Sequence, residues 1–308
     1  MKKIFLVSLS SFFSFLSVNL NTVAMDIGVT STKSFYHYYE VHHPDTPKKT
    51  LSILGTSHIV PLESLPDALQ APLYTFDCFF SEIEVPSSAT SEEGELEPKP
   101  FTPTLCSEGE NNYLDGLPYA ERNFVVETCE QYLAEMGFES IEVSRLNNQS
   151  LAILLHSAKH ITGMDYQLQS YYLSQQKPVY CLNPADLQRK LDTQDSEEIE
   201  NYSFKDFSDL VRFFRDKLSR LTEAYCTLSP KDLRKHPILS EDSSSDEEED
   251  DSLFNESNKA WVSVIENHYH NKTREEERAL ICMGTDHTIE IRDVLKRHGF
   301  IFTQPFVN

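Results

Sequence analysis

The chain has 308 residues, 39% hydrophobic and 11% aromatic, enough for one sizeable folded unit with insertions. Its 49 acidic against 27 basic residues give a formal charge of −22, which argues against nucleic acid and anionic membrane surfaces as partners, since both demand clustered lysine and arginine. Six cysteines with no Cys-x-x-Cys pair leave zinc-ribbon and thioredoxin-type chemistry without support.

Met1-Lys2-Lys3, the apolar and serine-rich stretch Ile4 to Val18, and Asn19 to Ala24 with Thr22-Val23-Ala24 at a small-residue cleavage position read as a secretory signal peptide. The apolar stretch is shorter than a bilayer span, so the expected product is secreted or periplasmic, begins near Met25 and keeps no membrane anchor after cleavage. Cys78, Cys181 and Cys282 lie in or beside apolar runs and read as buried thiols.

Ser34 to Val41 and Lys48 to Leu54 are predicted strands joined across His42-His43-Pro44-Asp45. Phe76 to Val85 is another strand, and Pro86 to Asn112, rich in Pro, Ser, Thr and Glu, a mobile loop. Helical spacing follows over Pro118 to Met136, stopped by Gly137, then from Asn148, a good cap, through Ala158, and again from Asp165 through Tyr172. Pro178 to Leu182 is a strand and Phe204 to Thr227 a long amphipathic helix. The run Glu241 to Asp251 cannot bury enough surface to fold and reads as a solvated linker. A helix over Asn258 to His268, a strand over Ala279 to Met283, a helix from about Thr288 to His298 stopped by Gly299, and a tail strand Phe300 to Thr303 close the chain.

Two Gly-Thr-x-His tetrads stand out, Gly55-Thr56-Ser57-His58 and Gly284-Thr285-Asp286-His287, each directly after a short apolar run. A glycine ending a buried strand puts the following residues at the strand's C-terminal edge, where an open α/β sheet gathers reactive side chains. His58 and His287 are therefore expected to converge, in a pattern suited to a metal. Glu82, inside large apolar residues, needs a cation, a metal or a proton to be buried there. Glu84 shares its face. A His, Glu and His set leaves an open position for water, as metal-dependent hydrolysis requires. Asp165 reads first as a helix cap, Asn258 and Trp261 as helix-surface and core residues, and His268 and His270 as surface histidines.

These residues carry a family resemblance. Leu51 to Pro66, with Gly55-Thr56-x-His58 and Pro61-Leu62-x-x-Leu65-Pro66, resembles the opening motif of the TraB/GumN/Tiki superfamily, and Asp77 to Glu82 its following strand and glutamate. Gly163-Met164-Asp165 with Lys177-Pro178-Val179, Leu221 to Tyr225, Asn258 to Trp261, and Met283-Gly284-x-x-His287 with Leu295 to Gly299 resemble its later blocks in order. The chain departs from that pattern at Ser257, where many members have arginine before Asn258, and at Asn183, where glutamate is usual after Leu182.

The resemblance implies an α/β (α+β) fold, a central mixed sheet flanked by helices, with a mobile acidic insertion. On this reading residues 1–24 are the signal peptide and 25–308 one domain, with disordered insertions at about 86–112 and 240–252. It further implies a divalent-metal-dependent hydrolase, a peptidase acting on a peptide or secreted protein, using a Mn, Co or Zn type ion. His58, Glu82 and His287 are the expected ligands and, with Asn258, the catalytic group, while Asp165, Thr56 and Thr285 support them. Two alternatives stay open: a non-catalytic protein that sequesters a secreted peptide or host factor, and a metal-independent esterase-like hydrolase.

Overall fold

Arg278–Gly284 is buried on both of its faces, as a strand is when it lies deep in a parallel sheet covered by helices on either side. In the computed structural model, which describes residues 33–46, 48–82, 104–106, 112–135, 138, 141–200, 202–237, 250–271, 277–304 and 306–307, it is an inner strand of a six-stranded mixed sheet. The strands in chain order are β1 (Lys33–Ser34), β2 (Tyr38–His42), β3 (Thr50–Thr56), β4 (Cys78–Ser81), β5 (Val179–Cys181), β6 (Arg278–Gly284), β7 (Ile301–Thr303) and β8 (Phe306–Val307). The large sheet runs β5-β4-β6-β3-β2-β7, and β1 pairs with β8 apart from it. Strands β5, β4, β6 and β3 are parallel, while β2 lies antiparallel to both β3 and β7.

Period-two alternation sends the inner strands into two cores. Leu54, Phe79, Leu280 and Cys282 face one layer, made by α4 (Met164–Ser174) and α7 (Leu218–Thr227) through Met164, Leu168, Tyr172, Leu221 and Tyr225. Ile53, Cys78, Phe80, Ala279 and Ile281 face the other, made by α9 (Asp250–His270) and α10 (Thr285–Arg297) through Trp261, Ile265, Tyr269, Ile291 and Leu295. A third core joins α2 (Tyr119–Glu135), α3 (Asn148–His160) and α6 (Phe204–Arg212). Three shorter or peripheral helices, α1 (Asp67–Leu73), α5 (Ala185–Glu200) and α8 (Pro230–Arg234), are not apparent from the hydrophobic spacing of the sequence.

Several expectations are corrected by the packing. The predicted helix Phe204 to Thr227 is interrupted by a π-helical turn, Phe213–Lys217. The turn has a use: residues before it, Phe207 and Val211, fill the helical core, whereas Leu221 and Tyr225 beyond it fill the sheet core. The extra residue rotates the apolar stripe from one core to the other. Helix α3 is capped by Asn147, which accepts from Ser150 N at 2.8 Å, while Asn148 Oδ1 accepts from Tyr113 N at 2.8 Å. Part of the predicted mobile loop is anchored, because Leu105 bridges Leu146 and Asn112 accepts from Leu114 N at 3.0 Å. Asp250 and Asp251, the end of the predicted acidic linker, already lie in α9. Cys78 and Cys282 are buried as expected, Cys181 is half-buried rather than buried, and Cys129, on the apolar face of its helix, is buried too. The signal segment, Glu84, Met136, Gly137 and acidic residues 241–249 lie outside the described residues.

His37, just before β2, is fully buried, stacked on Tyr225 at 4.3 Å, with Nε2 against the Leu228 carbonyl at 3.0 Å. Burial pushes its pKa down to about 4, against the smaller opposing effect of the carbonyls. The unfolded chain therefore binds the extra proton first, between about pH 6.5 and 4, and stability falls as the pH is lowered through that window. Complete titration of this group corresponds to about 3 kcal/mol. Denaturant melts from pH 7 to 4 should show a steep loss that is shallower in His37→Gln; equal slopes in the two proteins would refute the assignment.

Candidate functional site

Strand order builds the site. Although β6 comes late in the chain, it lies between β3 and β4, with Gly284 level with Thr56 and Cys282 level with Ser81. The segments leaving the C-terminal ends of these three neighbours carry His58, Glu82 and His287. Such a departure of strand order from chain order gathers side chains of distant segments at one sheet edge. A Cβ placed on Gly284 would stand 3.5 Å from His287 Cδ2, 3.6 Å from Glu82 Oε1 and 3.6 Å from His58 Nε2. All three sequence candidates thus border one small space over Gly284.

His58 lies between two carboxylates. Its Nε2 contacts Glu82 Oε1 and its Nδ1 contacts Asp165 Oδ2, the latter 1% exposed. Asp165 also accepts from Thr56 Oγ1 at 3.0 Å, and Glu82 Oε2 accepts from Gly284 N at 3.0 Å. Burial works against a charged imidazole here, but Glu82 and Asp165 together outweigh it and raise His58 to about 10. Glu82 is itself raised, chiefly by burial and further by Asp165, with His58 and the Gly284 amide acting in opposition. One proton shared between His58 and Glu82 accounts for both shifts, since neither fully separated charge is favoured in a half-buried crevice.

Asp165 is the main correction to the sequence reading of single residues. It stands in the first turn of α4, yet it makes no cap: Gly163 is the N-cap residue and no side chain closes that end. The carboxylate is turned toward the sheet edge instead. Its Oδ1 is buried with no hydrogen-bond partner.

His287 is in the first turn of α10 rather than ahead of it. Its Nδ1 meets Asn258 Oδ1 at 2.8 Å, and its ring stacks on Phe254 at 4.2 Å and leans on Trp261 at 4.3 Å. Because Asn258 Oδ1 can only accept, Nδ1 carries the proton and Nε2 keeps a lone pair. Burial, then the charges of His58 and Arg234, lower its pKa to about 3, so this imidazole is neutral. Thr285 lies behind the site, donating to the Thr56 carbonyl at 3.0 Å and contacting His37 Nδ1 at 3.4 Å, and so ties the two tetrads together.

Two further residues hold the arrangement. Asn183, at the position where the family resemblance leads one to expect glutamate, accepts from Trp261 Nε1 at 2.7 Å and donates to the Glu82 carbonyl at 3.1 Å and Gln188 Oε1 at 2.8 Å. A glutamate could accept but not donate; asparagine does both and so braces the His287 wall to the Glu82 backbone. Ser257 is buried and brings no cation. The guanidinium near His287 comes from Arg234, which pairs with Asp286 of the second tetrad at 2.8 Å. Its α8 helix has no periodic signature long enough to be noticed in the sequence.

The donor chemistry suits a divalent ion. His58, Glu82 and Asp165 offer ligand atoms within 4.8 Å of one another. Both histidines are held through Nδ1 by an oxygen acceptor, the pattern by which an imidazole is oriented to give Nε2 to a metal. One imidazole and two carboxylates suit a zinc, manganese or cobalt type ion; His287 borders the same space, but the ligand atoms that converge are those of His58, Glu82 and Asp165. The TraB/PrgY/gumN family model matches residues 39–304 of this chain. No curated protein and no solved structure matches it.

Proposed function

The chain belongs to the TraB/PrgY/gumN family, and on that footing we propose that it is an exported, metal-dependent hydrolase, a peptidase acting on secreted proteins or peptides. The observation that carries this reading is the space over Gly284, bordered by His58 Nε2, Glu82 Oε1 and His287, with both imidazoles held from behind. His58, Glu82 and His287 would hold the ion, and Asp165 and Asn258 would fix the two rings. A bound divalent ion lowers the pKa of its water toward neutrality and polarises the carbonyl to be attacked. Asp165 keeps the Nδ1 proton of His58 and so directs Nε2 outward, and the Gly284 amide fixes Glu82 Oε2 so that Oε1 faces the same space. Phe254 and Trp261 form an apolar wall beside His287, which shields that side of the crevice from water.

Glu82→Gln is the variant that tests the reading most directly. It keeps the side-chain shape and removes the charge, so the purified protein should lose the ion bound at this site, read as metal content lower by about one ion per chain than in the parent. Hydrolysis of a peptide substrate should fall about 10²-fold or more, since even a residue that only orients a ligand is worth about 10–100-fold. Full activity of the parent after exhaustive chelation would overturn the metal and leave Asp165–His58 as a metal-free acid–base pair. Peptide capture without any cleavage would favour the sequestering alternative.

Export is tested separately. Because Lys2-Lys3, the apolar stretch and Thr22-Val23-Ala24 have signal-peptide form, amino-terminal sequencing of the secreted or periplasmic product should read from near Met25. Recovery of Met1 from that fraction would refute cleavage.

A further inference from the structure

At the opposite, N-terminal edge of the parallel strands, a second group of donors comes together. Cys78 opens β4, Glu277 immediately precedes β6, and His268 lies in the last turn of α9; their ligand atoms fall within 4.8 Å of one another. The Cys78 residue is fully buried, and the His268 and Glu277 side chains are 8% and 16% exposed. His268, expected on the surface, instead packs its ring edge-on against Phe80 at 4.8 Å. Its backbone carbonyl takes the ammonium of buried Lys49, which fixes the end of α9 against the start of β3.

We propose that Cys78, His268 and Glu277 form a second metal site, for a thiophilic divalent ion of the zinc type, with a structural role. Three different ligand types converge from three elements that meet only through the tertiary fold. His268 Nε2 and Glu277 Oε2 are 3.5 Å apart, beyond the usual span of an N–H···O bond. Two donors on one tetrahedral zinc stand about 3.4 Å apart at ordinary bond lengths. A thiolate and a carboxylate balance the charge of a divalent ion, and the sulfur disfavours magnesium, calcium and manganese. Binding converts the Cys78 thiol to thiolate and releases its proton to solvent. The same three residue types would also suit a nucleophilic triad, but a fully buried Cys78 gives no substrate access to sulfur. The consequence for the fold is specific. Helix α9 carries Asn258 and Trp261 at the other sheet edge, so an ion that anchors its last turn to β4 and β6 steadies the helix that supports His287.

The test is titration of the full, reduced and metal-stripped chain with cobalt and then zinc. Cobalt should give a thiolate-to-metal charge-transfer band in the near ultraviolet, zinc should displace it, and zinc should raise the melting temperature by several degrees. The band should persist in Glu82→Gln, which alters only the other site, and be lost in Cys78→Ser. His268→Gln and Glu277→Gln, which leave the buried sulfur in place, should lose saturable binding, and they decide the matter should Cys78→Ser fail to fold. No thiolate band in the parent, or a band unchanged in the Cys78 or His268 variant, overturns the proposal. A cobalt spectrum without a sulfur band also overturns it while leaving the His58–Glu82–His287 reading intact, since that site contains no thiol.

Discussion

His58→Ala is expected to lose hydrolytic activity and stability together, whereas His287→Ala should lose mainly activity. The sequence suggests that neither histidine is needed for folding, because neither lies in an apolar run. The structure separates them. His58 stands between Glu82 and Asp165 and offers a proton to each, and Asp165 is 1% exposed. Removing the imidazole strands a buried carboxylate next to a second one, and an uncompensated buried charge costs about 3–5 kcal/mol. The low end applies, since His58 is 36% exposed and water can enter the vacated space. On the proposed function, activity should fall about 10²-fold or more, as expected for loss of a residue that holds the ion. His287 is neutral, and its loss strands no charge: it leaves Asn258 Oδ1 to be rehydrated and removes the ring contacts with Phe254 and Trp261. Adding Asp165→Asn to His58→Ala should restore much of the lost stability and none of the activity. Thermal melts and peptide cleavage on the four proteins measure both. A His58→Ala protein that melts with the parent, or cleaves like it, would refute the paired-carboxylate role.

The second large effect is expected at a residue that touches no substrate. A Cβ on Gly163 would lie 1.6 Å from the carbonyl oxygen of His58 and 2.6 Å from its carbonyl carbon. Both neighbours are backbone, so no side-chain rotation relieves the clash. Gly163 is the N-cap residue of α4, and the next amide, Met164 N, donates to the Val60 carbonyl at 2.9 Å. Gly163→Ala must therefore push the turn after β3 away from the start of α4, which carries Asp165 two residues on. The separation pulls Asp165 from His58 and Thr56. We expect about 3 kcal/mol of destabilisation, at the upper end for overpacking because backbone must move. An activity loss of about tenfold or more should persist at temperatures where the variant is fully folded, since a displaced catalytic group costs rate even in a stable protein. A Gly163→Ala protein with parental stability and parental cleavage would show that the two segments do not meet this closely.

How much of this was legible beforehand follows from what is local. The apolar runs before Gly55 and Gly284, ended by glycine, are local patterns, and β3 and β6 appear where those patterns place them. The helices over Tyr119–Glu135, Asn148–His160 and Met164–Ser174, and the stop at Gly299 with its φ of 93°, follow from spacing and from the conformational freedom of glycine at one position. The doubled tetrad, Glu82 and the family of the chain were also readable, because motif order is a property of the sequence itself.

What spacing could not decide is which strands are neighbours and what each side chain finds across the gap. Nothing in the order β3, β4, β6 says that the last enters between the first two, yet that insertion is what places His58, Glu82 and His287 around Gly284. Asp165 at a helix start satisfies the local rule for a cap, and the half-exposed imidazole of His58, 107 residues away, competes for its buried carboxylate and wins, because an unpaired charge there would cost more than an open helix end. Arg234 carries no local signal, and Asn183 and His268 read from sequence only as a departure from a pattern and a surface residue, because Asp286, Trp261 and Phe80 are brought to them only by the packed sheet. Sequence by itself determined most of the longer elements and the family; the tertiary structure alone decided which side chains meet, since hydrogen bonds and charge compensation depend on distances that periodicity does not contain.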